Sequence, residues 1–157
     1  MVFDASFEPA EFQQDFLACV EATHASFLLN YHAFSGIYDP EEQARAQEGA
    51  RAMGYAYHLA TARLADERLT LSIENLGVAP FYPSLRVVVT DARGGVAYSE
   101  LPRVLPGVPL VVEVATSELN PPSDREPWRV SMSSDGVLPG AVIRWATAPT
   151  EGPLRVD

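Results

Sequence analysis

The groups in this sequence that could do acid–base, nucleophilic or metal chemistry are one cysteine, three histidines and 21 carboxylates. A metal site needs several ligands at short, defined spacings. His24, His32 and His58 are joined neither by cysteines nor by a close histidine pair, so no zinc or helical-pair motif forms. No metal and no cofactor is expected. Cys19 has Phe16, Leu17 and Val20 for neighbours and reads as a buried, inert thiol rather than a nucleophile. A Gly-x-Ser-x-Gly nucleophile elbow and a phosphate-binding glycine loop are both missing. Paired carboxylates can cleave glycosidic bonds, but only when set close together in a cleft. Glu74, Glu100, Glu113, Glu118 and Glu126 fall at strand and loop positions that face solvent. Glu113, between Val112 and Val114, should point outward. No catalytic residue is assigned.

Aromatic rings are the remaining chemical resource, because a sugar can lay its apolar face on an exposed ring. Phe81, Tyr82, Trp128 and Trp145 are the candidates outside the N-terminal part. Trp128 opens an alternating strand, so core burial competes with ligand contact; Trp145 shares a face with Ile143 and reads as packing. Phe81 and Tyr82 lie in a loop between Pro80 and Pro83, where they either brace the loop or present rings to a ligand. Phe81, Tyr82 and Trp128 are the ligand-binding candidates of this part.

The elements that must position these residues are of two kinds. Phe7 to Ala22 has a helical period, with Pro9 in the first turn and Phe12, Phe16, Leu17 and Val20 at helical spacing. Ala25 to Asn30 is a short apolar run that reads as a buried strand. Asp39-Pro40-Glu41-Glu42 starts a second helix: Asp39 caps it, Pro40 occupies the first turn and Glu42 completes a capping box. Glu41 and Arg45 are spaced for an ion pair, Ala46, Ala50 and Met53 form a small apolar face, and Gly54 ends the helix.

From Tyr55 the period is two. Tyr55, Tyr57 and Leu59 alternate with Ala56, His58 and Ala60, and Leu69, Leu71 and Ile73 alternate with Thr70, Ser72 and Glu74. Leu85 to Thr90 and Val96 to Ser99 flank Asp91-Ala92-Arg93-Gly94-Gly95, a hairpin signal whose glycines supply positive φ. Leu110 to Ala115, Trp128 to Ser133 and Val142 to Thr147 are further strands, separated by Pro- and Gly-rich turns. Roughly seven short strands at this spacing predict an antiparallel, immunoglobulin-like β-sandwich.

Length and charge bound the partners. A chain of 157 residues, 47% hydrophobic and 20% charged, is ordinary globular material with room for one good core and a small appendage. The net charge of −10, with only 11 scattered basic residues, argues against nucleic acid and anionic membranes. No apolar stretch is long enough to cross a bilayer, and a single cysteine allows no intrachain disulfide. Met1-Val2-Phe3-Asp4 lacks the features of a signal peptide. The sequence as it stands reads as cytoplasmic, or as extracytoplasmic if it is cut from a longer exported protein.

Two segments together resemble a known pattern. One is Thr23-His24-Ala25-Ser26-Phe27-Leu28-Leu29-Asn30, followed by a helix and Met53-Gly54-Tyr55-Ala56-Tyr57. The other runs from Leu69 to Pro83 and contains Asn75, Gly77, Ala79, Pro80 and Tyr82. In this order they resemble the C-terminal region of a bacterial family of large, mostly uncharacterised proteins. There a glycoside-hydrolase-like (β/α)8 barrel ends in a His-Ala/Ser…Leu-Asn strand and a helix closing in Leu-Gly-Tyr, and a β-sandwich with an Asn-x-Gly-x-Ala-Pro-x-Tyr segment follows. The resemblance spans Phe7 to Trp145.

It implies that residues 1–54 are a helix–strand–helix remnant of a barrel's last unit, 55–148 the sandwich and 149–157 a flexible tail. A barrel draws its catalytic residues from several strands, and the strands expected to carry the carboxylates are absent. Asn30, Tyr31 and His32 would lie at the carboxyl end of the one remaining strand, so Asn30 and His32 join the ligand-binding candidates. Such a strand leaves edges and apolar faces uncovered, which implies a homo-oligomer or a partner chain covering it. The resulting expectation is a non-catalytic, carbohydrate-associated accessory module. A structural or interaction module assembling through its N-terminal helices, and one part of a split glycosidase, are the alternatives. The motif residues also have a plain structural reading. Asn75 and Gly77 suit a strand end that needs a turn and positive φ, and Pro80 and Pro83 stiffen the loop.

Overall fold

A computed structural model describes residues 16–26, 39–138 and 143–146. It is mainly β, with two helices and six antiparallel strands in two sheets. The chain divides into two compact units: Met1–Tyr55 with Gly77–Pro80, and Ala56–Leu76 with Phe81–Asp157.

The first unit holds α1 (Phe16–Thr23) and α2 (Pro40–Ala52). The helical stretch read before Phe16, and residues 27–30 of the expected strand with Asn30, Tyr31 and His32, lie outside the described residues. α1 ends in a Schellman turn: Ala25 N–H donates to Val20 O at 3.1 Å and His24 N–H to Glu21 O at 3.3 Å. His24 takes the left-handed conformation usually filled there by glycine, at φ 51°. Its Nδ1–H donates to Val78 O at 2.7 Å, which fixes the ring's tautomer.

α2 starts as its residues require. Asp39 Oδ1 accepts from the Glu41 and Glu42 N–H groups at 2.9 Å each, and Glu42 Oε2 accepts from Asp39 N–H at 2.7 Å. Arg45 and Glu41 pair at 3.1 Å. Gly54 ends the helix at φ +85°. Its N–H donates to Ala25 O, and its carbonyl accepts from Ala79 N–H, at 3.1 and 3.0 Å. Gly54 therefore ties three separate segments together. Phe16 and Val20 are buried here with Ala25, Ala46, Met53 and Val78 packed on them. Cys19, expected to be buried, is only half-buried, because it lies outside the Phe16–Val20 stripe.

The second unit contains β1 (Tyr57–Ala65), β2 (Arg68–Asn75), β3 (Leu85–Thr90), β4 (Val96–Leu101), β5 (Leu110–Ala115) and β6 (Arg129–Ser133). One sheet has the order β1-β2-β5 and the other β4-β3-β6. Leu69, Leu71 and Ile73 of β2 and Val87 and Val89 of β3 are fully buried and alternate with half-buried neighbours. Removing each such side chain from water contributes about 1.5–3 kcal/mol. Buried residues of both sheets form one core, which Trp128 and Ile143 also join.

Several details depart from the sequence reading. β1 begins at Tyr57, leaving Tyr55 outside the strand, and continues past a register shift between Leu59 and Thr61 to Ala65. Its turn into β2, at Asp66 and Glu67, has both residues at positive φ (49° and 59°) with no glycine to announce it. Gly94 supplies the positive φ expected in the β3–β4 hairpin, whereas Gly77 does not adopt one. The hydrogen bonds of Val78 and Ala79 to His24 and Gly54 direct the chain there instead. Of the expected last strand, Ile143 forms an antiparallel bridge with Met132, and Ala146 N–H donates to Tyr57 O at 2.6 Å. Residues 142 and 147 lie outside the described residues.

Candidate functional site

Two places in the second unit gather rings and polar side chains. The first surrounds Asp91, at the end of β3. Asp91 Oδ1 accepts from the Arg93 and Gly95 N–H groups at 2.9 and 2.7 Å, which shapes the hairpin. Its Oδ2 accepts from the Asn120 N–H and side-chain amide at 2.9 and 2.7 Å. These donors hold the carboxyl down at about 2, with the Asn120 backbone N–H first and its side-chain amide next; burial opposes them, and the Gly95 and Arg93 N–H groups each add less than burial takes away. Trp128 Nε1–H donates to Asn120 O at 2.7 Å, and its ring is 6% exposed. Trp128 is thus a buried brace, and no ring face remains there for a ligand.

The second place follows β2. Asn75, 1% exposed, accepts from Ala56 N–H at 3.0 Å and donates to Val104 O at 3.2 Å. Its carbonyl accepts from Gly107 N–H at 3.2 Å. This clamp fixes the segment after β4, Pro102 to Gly107. Tyr57, buried in β1, accepts Phe81 N–H on its hydroxyl at 3.0 Å and so anchors the loop that carries Tyr82. Phe81 packs half-buried against the core, while Tyr82 is 51% exposed. The Arg103 guanidinium stands 5.3 Å from the centre of the Tyr82 ring, within cation–π range.

Beside this pair is a hollow of about 140 Å³, lined by Tyr57, Phe81, Tyr82, Pro83, Leu101 and Arg103 among others. A pocket that engulfs a small molecule measures roughly 300–1,000 Å³, so this one takes one end of a ligand rather than a whole one. Ser84 adds a hydroxyl to the lining. No carboxylate, histidine or cysteine lines it.

Of the residues singled out from sequence, Phe81 and Tyr82 come together here and Trp128 does not. Asn30 and His32 lie outside the described residues. Glu113 points outward and pairs with Arg68 at 3.0 Å; Glu100, Glu118 and Glu126 are exposed and Glu74 is half-buried. Arg103 and Tyr57 escaped the sequence reading. Arg103 follows a proline in an ordinary loop, and Tyr57 looked like any strand aromatic.

Tyr98 was also missed, though it is 60% exposed. It stands on the outer face of its sheet beside Val88, in register. Among the described residues no group of three or more His, Cys, Asp or Glu could hold a metal ion, and no helix is long and apolar enough to cross a membrane. Neither a family model, nor a curated protein, nor a solved structure matches the chain.

Proposed function

We propose that the β unit is a non-catalytic carbohydrate-binding accessory module whose platform is Tyr82. The carrying observation is the half-exposed Tyr82 ring, backed by Arg103 and set beside a small hollow lined by no carboxylate, histidine or cysteine. Sugars present an apolar ring face and a rim of hydroxyls, and this combination of ring, guanidinium and hydroxyl offers partners for both.

The resemblance to the tail of glycoside-hydrolase-like barrel proteins agrees with this reading. Two observations support it. Parts of both segments that carry the likeness, Gly77–Pro80 of one and His24, Ala25 and Gly54 of the other, lie in one unit, where His24 bonds Val78 and Gly54 bonds both Ala25 and Ala79. The immunoglobulin-like form, with a seventh strand around Ile143, is supported by that residue's bridge to Met132.

Titrating the whole chain by calorimetry against a panel of neutral and acidic oligosaccharides tests the proposal. Binding abolished by Tyr82→Ala and retained in Tyr98→Ala is the expected result. Silence across the panel, or glycoside turnover that disappears with one carboxylate variant, would overturn it.

A further inference from the structure

We infer that the hollow beside Tyr82 is a subsite for an acidic sugar unit, a uronate, whose carboxylate is taken by Arg103. This rests on the carbohydrate reading above and specifies its ligand class. The chain carries a net charge of −10 and no lysine, so every cation in it is an arginine or a histidine. Arg68 and Arg86 of the β unit are engaged with carboxylates, and of the unit's other arginines Arg103 is the one that lines the hollow. Arg103 is exposed and its guanidinium lies over the Tyr82 ring. A guanidinium held over a ring uses its charge there and keeps its in-plane N–H donors, which match a carboxylate in a two-pronged arrangement.

The geometry of the site also favours a uronate over other anions. No carboxylate lines the hollow, so an incoming anion meets no like charge among the residues that would touch it. One cation beside one ring suits a ligand with one carboxylate per ring. A densely charged polyanion would be repelled by the chain's excess negative charge, whereas screening over about 8 Å at physiological salt leaves a local pairing intact. Pro83 and Pro102 stiffen the backbone on both sides of the pair, since each fixes its own φ.

The test uses the whole chain and three probes: a trigalacturonate, the neutral galactose trimer, and a hexaglutamate peptide. The expected result is that the trigalacturonate binds more tightly than the neutral trimer, with weaker binding as salt rises. Arg103→Gln should weaken it by about ten- to a hundredfold, the loss of a charge-assisted hydrogen-bonded pair, and should weaken the neutral trimer, which has no carboxylate for the fork, several-fold less. Arg103→Lys should fall between, keeping the charge without the fork. Arg103 is exposed, so these variants should fold; near-ultraviolet circular dichroism checks this.

Equal affinity for the acidic and neutral trimers, unaffected by Arg103→Gln, overturns the uronate assignment and leaves the carbohydrate reading standing. No binding of either trimer overturns both. Hexaglutamate binding as tightly as the trigalacturonate, with the same dependence on Arg103, overturns the sugar in favour of an acidic peptide.

Discussion

Around Trp128 and around Tyr82 the β unit sets an aromatic ring near charged or amide side chains, and the two places differ in where the polar groups direct their hydrogen bonds. At the first, Asp91 accepts four bonds, Asn120 supplies two of them, and the Trp128 N–H closes the chain on the Asn120 carbonyl. At the second, the buried partners Tyr57 and Asn75 hold backbone in place, while the Tyr82 ring and the Arg103 cation face outward. The difference teaches how to tell a brace from a binding surface. A brace consumes its polar capacity internally, because an unsatisfied buried group costs about 1–3 kcal/mol. A binding surface keeps a cation exposed and rests on a second layer that is satisfied.

The comparison breaks most readily at Trp128. Trp128→Ala should cost about 3–5 kcal/mol of stability, as for other large buried aromatics, measured by urea denaturation. The folded fraction should bind ligand as the unaltered chain does. Loss of binding by a well-folded Trp128→Ala would mean that the two regions are not distinct.

Asp91 ranks next. Its carboxyl is held at about 2 instead of 3.8, so its contribution is fully present above the ordinary carboxylate range and is lost as the pH falls toward about 2. Urea midpoints of the unaltered chain and of Asp91→Asn should therefore differ most near neutrality and converge in acid. A constant difference across that range would remove the charge from the explanation.

Gly136 probes the second region from behind. A methyl group there would overlap Pro83 Cβ, part of a rigid ring, so Gly136→Ala should cost about 1–3 kcal/mol. It should also weaken ligand binding without altering any residue lining the hollow.

Glu67→Gly provides a smaller effect of opposite sign. It relieves a left-handed non-glycine residue in the β1–β2 turn and should stabilise the fold by about 1 kcal/mol, seen as a higher denaturation midpoint. The least change in stability belongs to Tyr82→Ala, within about 0.5 kcal/mol as for exposed positions. Its effect should fall on binding, which is the sharpest expression of the contrast with Trp128.

Much of the β architecture was legible from local pattern. The alternation of Leu69, Leu71 and Ile73, the bounds of β3 and β5, and the cap at Asp39 all appear as read. The Asp66-Glu67 turn was not legible, because its conformation is imposed by the pairing of β1 with β2 and not chosen by its residues. Half of the candidate site was legible as well. Two prolines around Phe81 and Tyr82 marked a loop with rings, but which ring would be exposed was not.

By itself, then, the sequence determined the periods, the caps, the β3–β4 hairpin and the absence of any catalytic motif, since each depends on residues a few positions apart. Only the tertiary structure decided that Trp128 is a brace and Tyr82 a platform. Those roles depend on Asn120 and Asp91 in one case, and on Tyr57 and Arg103 in the other. These partners come from other strands and loops, and sheet pairing brings them within a few ångströms in ways that no local spacing encodes.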